Sequence, residues 1–165
     1  GCVLIGATDR GICFLQFGAS EEALVRILAR EYPNAELSPM PRNRRGDFDI
    51  WMGELARRLE GDAAGSDLPL DISGTAFQLK VWKALIAIPR GALASYGEIA
   101  REIGAPRAVR AVASACAANR IAVLVPCHRV IRGDGALGGY RWGVARKRTL
   151  LDRERAARRA PLRMR

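Results

Sequence analysis

The stretch "SYGEIAREIGAPRAVRAVASACAAN", Ser95 to Asn119, predicts two short helices joined by a tight turn. Ser95 followed by Glu98 forms a capping box, which starts a helix that we expect to end at Gly104. Pro106 stands where the first position of a helix tolerates proline, so a second helix is predicted through "PRAVRAVASACAA". Two short helices joined by a turn that contains glycine are the helix-turn-helix arrangement.

The second of these helices is predicted to have two different faces. Val109, Val112 and Cys116 share an apolar face, and another face carries Arg107, Arg110 and Ser114 at i, i+3, i+7 spacing. Most of the remaining residues are alanine, so the polar face is slim and could bring its backbone close to a nucleic-acid groove. An ordinary surface helix is the alternative, and the faces alone do not decide between the two.

A second capping box precedes this pair of helices. Thr75 is followed by Gln78, and apolar residues then continue at helical spacing as far as Ile88. Farther upstream, "GDAAGSDLP" (61–69) is rich in turn-forming residues and has no apolar period. We interpret this segment as a linker between two lobes.

The sequence before the linker predicts a small α/β lobe. "CVLIG" and "ICFLQF" flank the turn-like "ATDRG", which indicates a β-hairpin. Ser20 is expected to cap a helix over "SEEALVRILAREY", and another helix is predicted from about Asp47 to Leu59. Because the chain opens inside strand-like sequence without a methionine, we expect the natural chain to start upstream and this lobe to be truncated at its start.

The predicted fold class is therefore α/β with two lobes. The division is a small N-terminal lobe of hairpin plus helices over 1–68, a mostly helical C-terminal lobe with the helix-turn-helix over 69–155, and a basic tail over 156–165. With 165 residues, 49% of them apolar, the chain is long enough to bury a core. No run approaches the roughly 18 apolar residues of a membrane span, and no signal segment opens the chain, so we expect a soluble, cytoplasmic protein.

The formal net charge of +10 is concentrated in the C-terminal part. From residue 101 onward sixteen Arg or Lys stand against four Asp or Glu, a net charge of +12, whereas residues 1–100 carry eleven against thirteen, a net charge of −2. Such asymmetry is typical of a surface that binds a polyanion, most often nucleic acid. A solvated basic end is the alternative for the last residues.

The four cysteines, Cys2, Cys13, Cys116 and Cys127, show no C-x-x-C pair and no repeated spacing. A zinc site is therefore not expected, and we predict no bound metal. A chain of this length and apolar content does not need a disulfide framework, so the thiols are expected to be reduced. Cys116, on an apolar helix face, is expected to be a small buried hydrophobic residue.

"VPCHRVI" (125–131) places Cys127 directly before His128, the only histidine of the chain. A thiol reacts as thiolate, and its ordinary pKa of about 8.5 leaves only a small ionised fraction at neutral pH. Base-assisted cysteine chemistry would therefore have to use His128. Because neighbouring residues in extended chain face opposite sides, we expect a bridging water between the two groups. For an isolated pair, a buried cysteine beside a structural histidine is the alternative.

Three further features have ordinary explanations when taken alone. "GDGALG" (133–138) matches G-x-G-x-x-G, but "GYRWG" follows it in place of a helix, so we interpret it as a hairpin turn and not as a nucleotide site. Asn119 would by default be a helix cap or turn residue. Glu154, in the last predicted helix, would by default be a surface residue that pairs with an arginine.

Taken together and in order, these segments resemble a known family. "SYGEIA", "RAVRAVASACAAN", "VPCHRVI" and "GALGGYRWGVARKRTLLDRE" are similar to motifs of the O6-alkylguanine-DNA alkyltransferases, in particular the alkyl-accepting domain of the adaptive-response members. The strong part of the resemblance runs from about Ile72 to Glu154. Residues 1–60 look like the small N-terminal lobe of that family, which implies a ribonuclease-H-like fold there.

The resemblance implies a role for each residue at a matching position. Cys127 corresponds to the thiol that accepts the alkyl group, His128 to the base that reaches it through water, and Glu154 to the acid that orients the imidazole. Asn119 corresponds to the hinge asparagine between the DNA-binding helix and the active-site segment. Tyr96 corresponds to the tyrosine that polarises the guanine ring and crowds the phosphate.

The resemblance also implies DNA contacts and a base pocket. Arg110 corresponds to the arginine that enters the base stack in place of the flipped nucleotide. The predicted DNA-binding residues are Arg110, Arg107, Ser114, Tyr96 and Arg129. The predicted pocket residues are Val130, Tyr140, Arg141, through its backbone N–H, and Trp142. We predict that the Trp142 indole narrows this pocket, with ordinary core packing as the alternative.

The function that the resemblance implies is repair of alkylated DNA without a cofactor. The protein would flip O6-methylguanine, and also O4-methylthymine, out of double-stranded DNA and transfer the methyl group irreversibly to Cys127, acting as a monomer. A DNA-binding regulator or lesion-sensing module is the alternative, although lesion sensors of this family lack the acceptor cysteine. A cysteine peptidase would need a separately placed histidine, and the chain has none.

Overall fold

A β-hairpin and two helices form the N-terminal lobe in the computed structural model, which describes residues 1–40, 45–60 and 68–159. The antiparallel strands are β1 (Cys2–Thr8) and β2 (Gly11–Gly18), followed by helices α1 (Glu21–Glu31) and α2 (Arg45–Glu60). The predicted hairpin is confirmed, and α2 is slightly longer than predicted. Most of the predicted linker, 61–67, lies outside the described residues.

Helix α1 starts where its sequence predicts. The Ser20 side chain accepts a hydrogen bond from the backbone N–H of Ala23 at 3.3 Å, and Glu21 and Glu22 occupy the first turn, where the helix dipole favours negative charge. Leu24 on the inner face of α1 is fully buried. The helix therefore covers the hairpin with its apolar face.

The free edge of β2 is continued by the C-terminal lobe. Ile12 donates its N–H to the carbonyl of Pro69 at 2.8 Å and accepts the N–H of Asp71 at 2.9 Å. Gly11 makes this approach possible, since its φ is +147° and a Cβ there would lie 2.4 Å from the Pro69 oxygen. The two lobes are thus joined by main-chain hydrogen bonds close to the linker.

A second set of main-chain hydrogen bonds joins β2 to the segment before the Cys-His pair. Leu15 donates to the carbonyl of Arg120 at 2.9 Å and accepts the N–H of Ala122 at 2.8 Å. Ile12 and Leu15 belong to the same buried cluster as Val125 of the C-terminal lobe. The lobes therefore share one hydrophobic core.

The C-terminal lobe is mostly helical, as predicted. Its helices are α3 (Ala76–Ala87), α4 (Tyr96–Glu102), α5 (Val109–Ala117) and α6 (Val144–Arg159), and a short parallel pair is formed by β3 (Ala94–Ser95) and β4 (Val130–Ile131). Helix α6 continues into the predicted basic tail, whose last residues, 160–165, lie outside the described residues. None of the described helices has both the length and the apolar composition that a membrane crossing requires.

Both predicted capping boxes are confirmed. Thr75 and Gln78 exchange side-chain and backbone hydrogen bonds at the start of α3, and Ser95 and Glu98 do so at the start of α4. Helix α3 then packs against α5, where the Trp82 indole N–H donates to a backbone carbonyl of α5 at 2.9 Å. The helix-turn-helix is thereby held on the core.

The turn between α4 and α5 differs from the prediction. Gly104, at φ +74°, ends α4. Its N–H donates to the carbonyl of Arg101, and the N–H of Ala105 donates to the carbonyl of Ala100, which are the two hydrogen bonds of a Schellman motif. The N–H of Ala108 then closes a turn around Pro106 by donating to Ala105 at 2.8 Å. The predicted helix start at Pro106 is therefore wrong, because this turn delays α5 to Val109.

The later start of α5 changes the face that was predicted to contact DNA. Arg107 lies in the turn and not on the helix, whereas Arg110 and Ser114 remain exposed on α5. The Ser114 hydroxyl donates to the carbonyl of Arg110 at 3.1 Å. The segment "GDGALG" (133–138) also forms a turn, in which Gly135 donates to Arg132, but the strand before it, β4, pairs with β3 and not across this turn.

Two glycine replacements should have effects of opposite sign. Gly104→Ala should lower the free energy of unfolding by about 1 kcal/mol, because an L-residue at φ +74° is strained even though open space surrounds it. Gly53→Ala, inside α2 and equally unobstructed, should raise it by up to about 1 kcal/mol through helix propensity. Urea denaturation of both variants measures the two effects, and effects of equal sign would show that the backbone at Gly104 is not strained as its φ implies.

Candidate active site

Cys127 opens a short 3-10 turn, Cys127–Arg129, that follows the buried segment 121–126. Its side chain belongs to the core and is only 4% exposed. The Asn119 amide nitrogen donates to the Cys127 sulfur at 3.2 Å and to the carbonyl of Val125 at 2.8 Å, and its oxygen accepts the N–H of Ile121 at 2.8 Å. Asn119 therefore joins the end of α5 to the turn that carries the thiol.

His128 is fully buried beside Glu154, and its Nε2 lies 2.9 Å from a carboxylate oxygen of that residue. Because a carboxylate only accepts hydrogen bonds, we assign the proton to Nε2 and a lone pair to Nδ1. Nδ1 is buried and contacts no hydrogen-bond partner within the part of the chain that the structure describes. The ring thus retains a buried nitrogen whose lone pair is available to accept a proton.

Burial controls the protonation of both members of the pair. It lowers the pKa of His128, against the opposing effect of Glu154, so the imidazole is neutral near pH 7. Burial also raises the pKa of Cys127 to about 11, although the Asn119 hydrogen bond and the Lys147 charge oppose this. The resting site therefore contains a thiol and a neutral base, and ionisation of the thiol requires proton transfer.

Glu154 is buried, so the default expectation of a surface residue is wrong. Besides His128, its carboxylate accepts hydrogen bonds from Arg129, with Nη2 at 2.8 Å, and from the backbone N–H of Gly91 at 3.1 Å. Burial alone would raise the pKa of Glu154, but the hydrogen bonds from His128 and Arg129 lower it to about 2. The carboxylate therefore stays ionised and fixes the orientation of the imidazole.

The structure places Arg129 in the interior, in contrast to the predicted DNA contact. Its guanidinium donates through Nε and Nη2 to Glu154 and through Nη1 to the carbonyl of Ile88 at 2.7 Å, and its side chain is 14% exposed. The physical reason is that the buried carboxylate needs a cation beside it. Arg129 therefore compensates the charge of the same Glu154 carboxylate that contacts His128.

Lys147 is a site residue that sequence reasoning missed. It is fully buried on α6, and its ammonium group donates to the carbonyls of Val130, at 2.5 Å, of Leu137, and of Gly139, at 3.3 Å. It lies within a run of basic residues, which by default indicates a solvated face. The available signal was its spacing of seven residues from Glu154, which places both on one face of α6.

Two tyrosines border the Cys-His pair. The Tyr140 ring lies edge-on to His128 with centroids 6.4 Å apart, and its buried hydroxyl has no hydrogen-bond partner among the described residues. Tyr96 is half-buried, and burial, followed by the proximity of the Cys116 and Cys127 thiols, raises its pKa. A Cβ at Gly138 would lie 3.4 Å from the Tyr96 hydroxyl, so this phenol reaches the segment 137–142, which we call the pocket loop.

The remaining pocket predictions have different outcomes. Val130 is fully buried directly after the turn that carries the thiol. The Trp142 indole packs edge-on against Tyr140, with centroids 5.1 Å apart, and against Phe17 of β2, at 6.3 Å, as part of the shared core. This packing favours the core alternative for Trp142 over a side chain that narrows the pocket. The Arg141 side chain points toward the N-terminal lobe, where it pairs with Glu31.

The structure thus brings Cys127, His128, Glu154 and Asn119 into one buried site and leaves Arg110 exposed on a separate helix. Among residues 1–40, 45–60 and 68–159, no three His, Cys, Asp or Glu side chains are grouped as a metal site. The chemistry available is that of a shielded thiol with a neutral base. The fold therefore combines a helix-turn-helix with a cysteine centre.

Comparisons with known proteins agree with this combination. A family profile described as "6-O-methylguanine DNA methyltransferase, DNA binding domain" matches residues 76–156. The chain is 50% identical over 116 residues to the methylated-DNA–protein-cysteine methyltransferase of Mycobacterium tuberculosis, which covers 70% of this chain and 69% of that protein. The crystal structure of Mycobacterium tuberculosis OGT in complex with DNA aligns with a TM-score of 0.77 at 37% identity, over 94% of this chain and 87% of that one.

A longer relative matches as well. The bifunctional transcriptional activator/DNA repair enzyme Ada of Escherichia coli is 47% identical over 154 residues, which is 93% of this chain and 42% of Ada. The fold and the site define a two-lobed protein in which a helix-turn-helix lies next to a buried cysteine centre. The chain belongs to the methylated-DNA–protein-cysteine methyltransferase family. It spans less than half the length of the Ada proteins that it matches.

Glu154→Gln should lower the free energy of unfolding by about 3 kcal/mol at pH 7, because it leaves the Arg129 charge buried without its counter-ion. The native carboxyl has its pKa lowered from 4.5 to about 2, so its contribution is complete above pH 4.5 and is lost as pH falls toward 2. The stability difference between the two proteins should therefore shrink over that range. Urea titrations at several pH values measure this stability difference, and a difference that does not change with pH would contradict the ion pair between Glu154 and Arg129.

Proposed function

We propose that this chain repairs double-stranded DNA by transferring the methyl group of O6-methylguanine, and of O4-methylthymine, irreversibly to Cys127. The observation that carries the proposal is the buried Cys127 thiol next to His128, whose Nε2 proton is held by Glu154 and whose Nδ1 is unused. The family membership and the DNA complex of a relative support it. We further propose that the protein acts as a monomer, without a cofactor.

The burial of Cys127 implies how the lesion must arrive. A methyl group on guanine O6 lies inside the base stack, and the thiol is 4% exposed, so the nucleotide has to leave the duplex and enter the protein. Extrusion costs a few kcal/mol, which DNA contacts and an intruding side chain offset. Arg110, exposed on α5, is the proposed intruding residue, with Arg107 in the preceding turn and Ser114 on α5 beside the phosphates.

Within the pocket, the proposed reaction is a displacement at the methyl carbon. His128 Nδ1 accepts the thiol proton through a water, and the Cys127 thiolate attacks the methyl group. The new S–C bond forms as the C–O6 bond breaks, and its electron pair passes to the guanine ring. Donation of a hydrogen bond from the Tyr96 hydroxyl stabilises that developing charge. The guanine anion then takes up, by way of water, the proton that His128 received from the thiol, so that the products are S-methylcysteine and unmodified guanine and His128 is neutral again.

The proposed product explains why the protein would act once. S-Methylcysteine is a thioether, and none of the groups around Cys127 can hydrolyse a carbon–sulfur bond. The polar neighbours that the structure places there include an amide, a neutral imidazole and a buried cation, from Asn119, His128 and Lys147, together with the phenols of Tyr96 and Tyr140. Each molecule is therefore consumed by one lesion.

Cys127→Ala should abolish methyl transfer and leave DNA affinity nearly unchanged, because the thiol lies in the interior and Arg110 lies on a separate exposed helix. The measurement uses duplex DNA with a radiolabelled O6-methyl group and follows label into protein, with DNA binding measured in parallel. Cys116→Ala is the matched control and should transfer at the normal rate. Label that survives in Cys127→Ala and is lost in Cys116→Ala would overturn the assignment.

Arg110→Ala should slow transfer from duplex DNA more than tenfold while changing overall affinity only slightly, because one charge among many contributes little to binding. A single strand has no stack to fill, so transfer from methylated single-stranded DNA should change little. Single-turnover rates on both substrates measure the contrast, with Arg101→Ala, at the exposed end of α4, as the control. Equal losses on the two substrates would show that Arg110 does not act in the stack.

A further inference from the structure

Glu31, the last residue of α1, links the N-terminal lobe to two segments that flank the acceptor site. One carboxylate oxygen accepts from Arg141 Nη2 at 2.9 Å and the other from Arg120 Nε at 2.7 Å. The side chains are largely shielded, with 17% exposed for Glu31, 24% for Arg141 and 32% for Arg120. We call Glu31, Arg120 and Arg141 the lobe clamp.

Arg141 connects the clamp to the groups around the thiol. Its Nη1 donates to the carbonyl of Asn119 at 3.3 Å and to that of Ala117, at the end of α5, at 3.4 Å. Asn119 in turn donates its amide to the Cys127 sulfur. The backbone of Arg141 also directly follows Tyr140, whose ring borders the site. A displacement of this guanidinium would therefore affect both the segment 119–121, which we call the hinge, and the pocket loop.

Arg120 connects the clamp to the hinge from the other side. Its guanidinium carbon lies 5.5 Å from the centroid of the Tyr32 ring, and its carbonyl accepts the N–H of Leu15 of β2. Because Arg120 directly follows Asn119 in the chain, these contacts hold one end of the hinge against the N-terminal lobe. Arg120 and Arg141 therefore both connect the segment 117–120 to Glu31.

The placement of Glu31 is unfavourable for α1 itself, because a negative charge at a helix C-terminus opposes the helix dipole. The positive charges of Arg120 and Arg141 offset this unfavourable interaction with the helix dipole. Another ion pair, Arg10 with Asp71 at 3.0 Å, also joins the lobes, but it lies at the turn between β1 and β2 and its Arg10 side chain is 81% exposed. The molecule therefore contains a matched pair of inter-lobe contacts, one beside the acceptor and one remote from it.

We propose that Glu31 is a positioning residue for methyl transfer, which acts through Arg120 and Arg141 to hold the hinge and the pocket loop in their reactive arrangement around Cys127. The kinetic part of this inference rests on the proposed function. It implies that the N-terminal lobe controls the rate constant of transfer, although the assigned catalytic groups belong to the C-terminal lobe. DNA affinity should be unaffected, because Glu31 lies on α1 and not on the helix-turn-helix.

The test compares Glu31→Gln with the remote control Asp71→Asn. In Glu31→Gln the transfer rate constant at saturating methylated duplex should fall about tenfold, with an unchanged DNA concentration at half-saturation, since small displacements of reacting groups have large kinetic effects. Glu31→Asp, which keeps the charge, should retain most of the rate. Asp71→Asn should transfer as fast as the unchanged protein. Amide hydrogen exchange in the absence of DNA should accelerate at 119–121 and 137–142 in Glu31→Gln alone.

Each outcome bears on the clamp. Normal exchange at both segments in Glu31→Gln would overturn it, and so would equal effects of Glu31→Gln and Asp71→Asn, which would indicate general lobe docking. A change in half-saturation with an unaltered saturating rate would also overturn it. If the unchanged protein transfers no methyl group, the proposed function fails, whereas the exchange measurement still decides whether Glu31 orders the hinge and the loop.

Discussion

The buried carboxylate of Glu154 is the group on which the rest of the site depends. An ionised carboxylate out of water is tolerated only when its oxygens are paired, and here His128, Arg129 and the N–H of Gly91 provide that pairing. These partners come from the short turn that begins with the thiol and from the segment after α3, while Glu154 belongs to α6. Satisfying one charge therefore brings three separate parts of the C-terminal lobe together. It also sets the tautomer of His128, which leaves Nδ1 available as the base.

A second buried charge orders the loop on the other side of the thiol. The Lys147 ammonium donates hydrogen bonds to the carbonyls of Val130, Leu137 and Gly139, so one cation holds a loop rich in glycine. The same cation partly offsets the effect of burial on Cys127, whose pKa is nevertheless raised to about 11. A thiol that stays protonated reacts slowly with other electrophiles, which suits the single-use methyl acceptor that we propose.

Local features of the fold were predictable because their causes are local. Both capping boxes, at Thr75 and Ser95, and the Ser20 cap lie where their side chains reach backbone N–H groups a few residues away. The start of α5 was not predictable in this way, because the Schellman motif at Gly104 is followed by a further turn around Pro106 that no periodic pattern reveals. Arg129 and Trp142 were assigned to DNA and to the pocket, but Arg129 pairs with a carboxylate twenty-five residues away and Trp142 packs on β2. Sequence contains no direct signal for such long-range contacts.

The sequence by itself determined the identity of the reactive pair, because the chain has one histidine and it follows Cys127 directly. It also determined that two short helices form a helix-turn-helix, through the capping box at Ser95, the stop at Gly104 and helical spacing, although not the residue at which α5 starts. Tertiary structure alone decided how these parts are arranged. Burial and pairing, not residue type, made Glu154 an interior group, Lys147 a loop anchor and Glu31 a link between lobes. The physical reason is that the energy of a charge depends on the solvent and counter-charges around it, and both are supplied by segments distant in the chain.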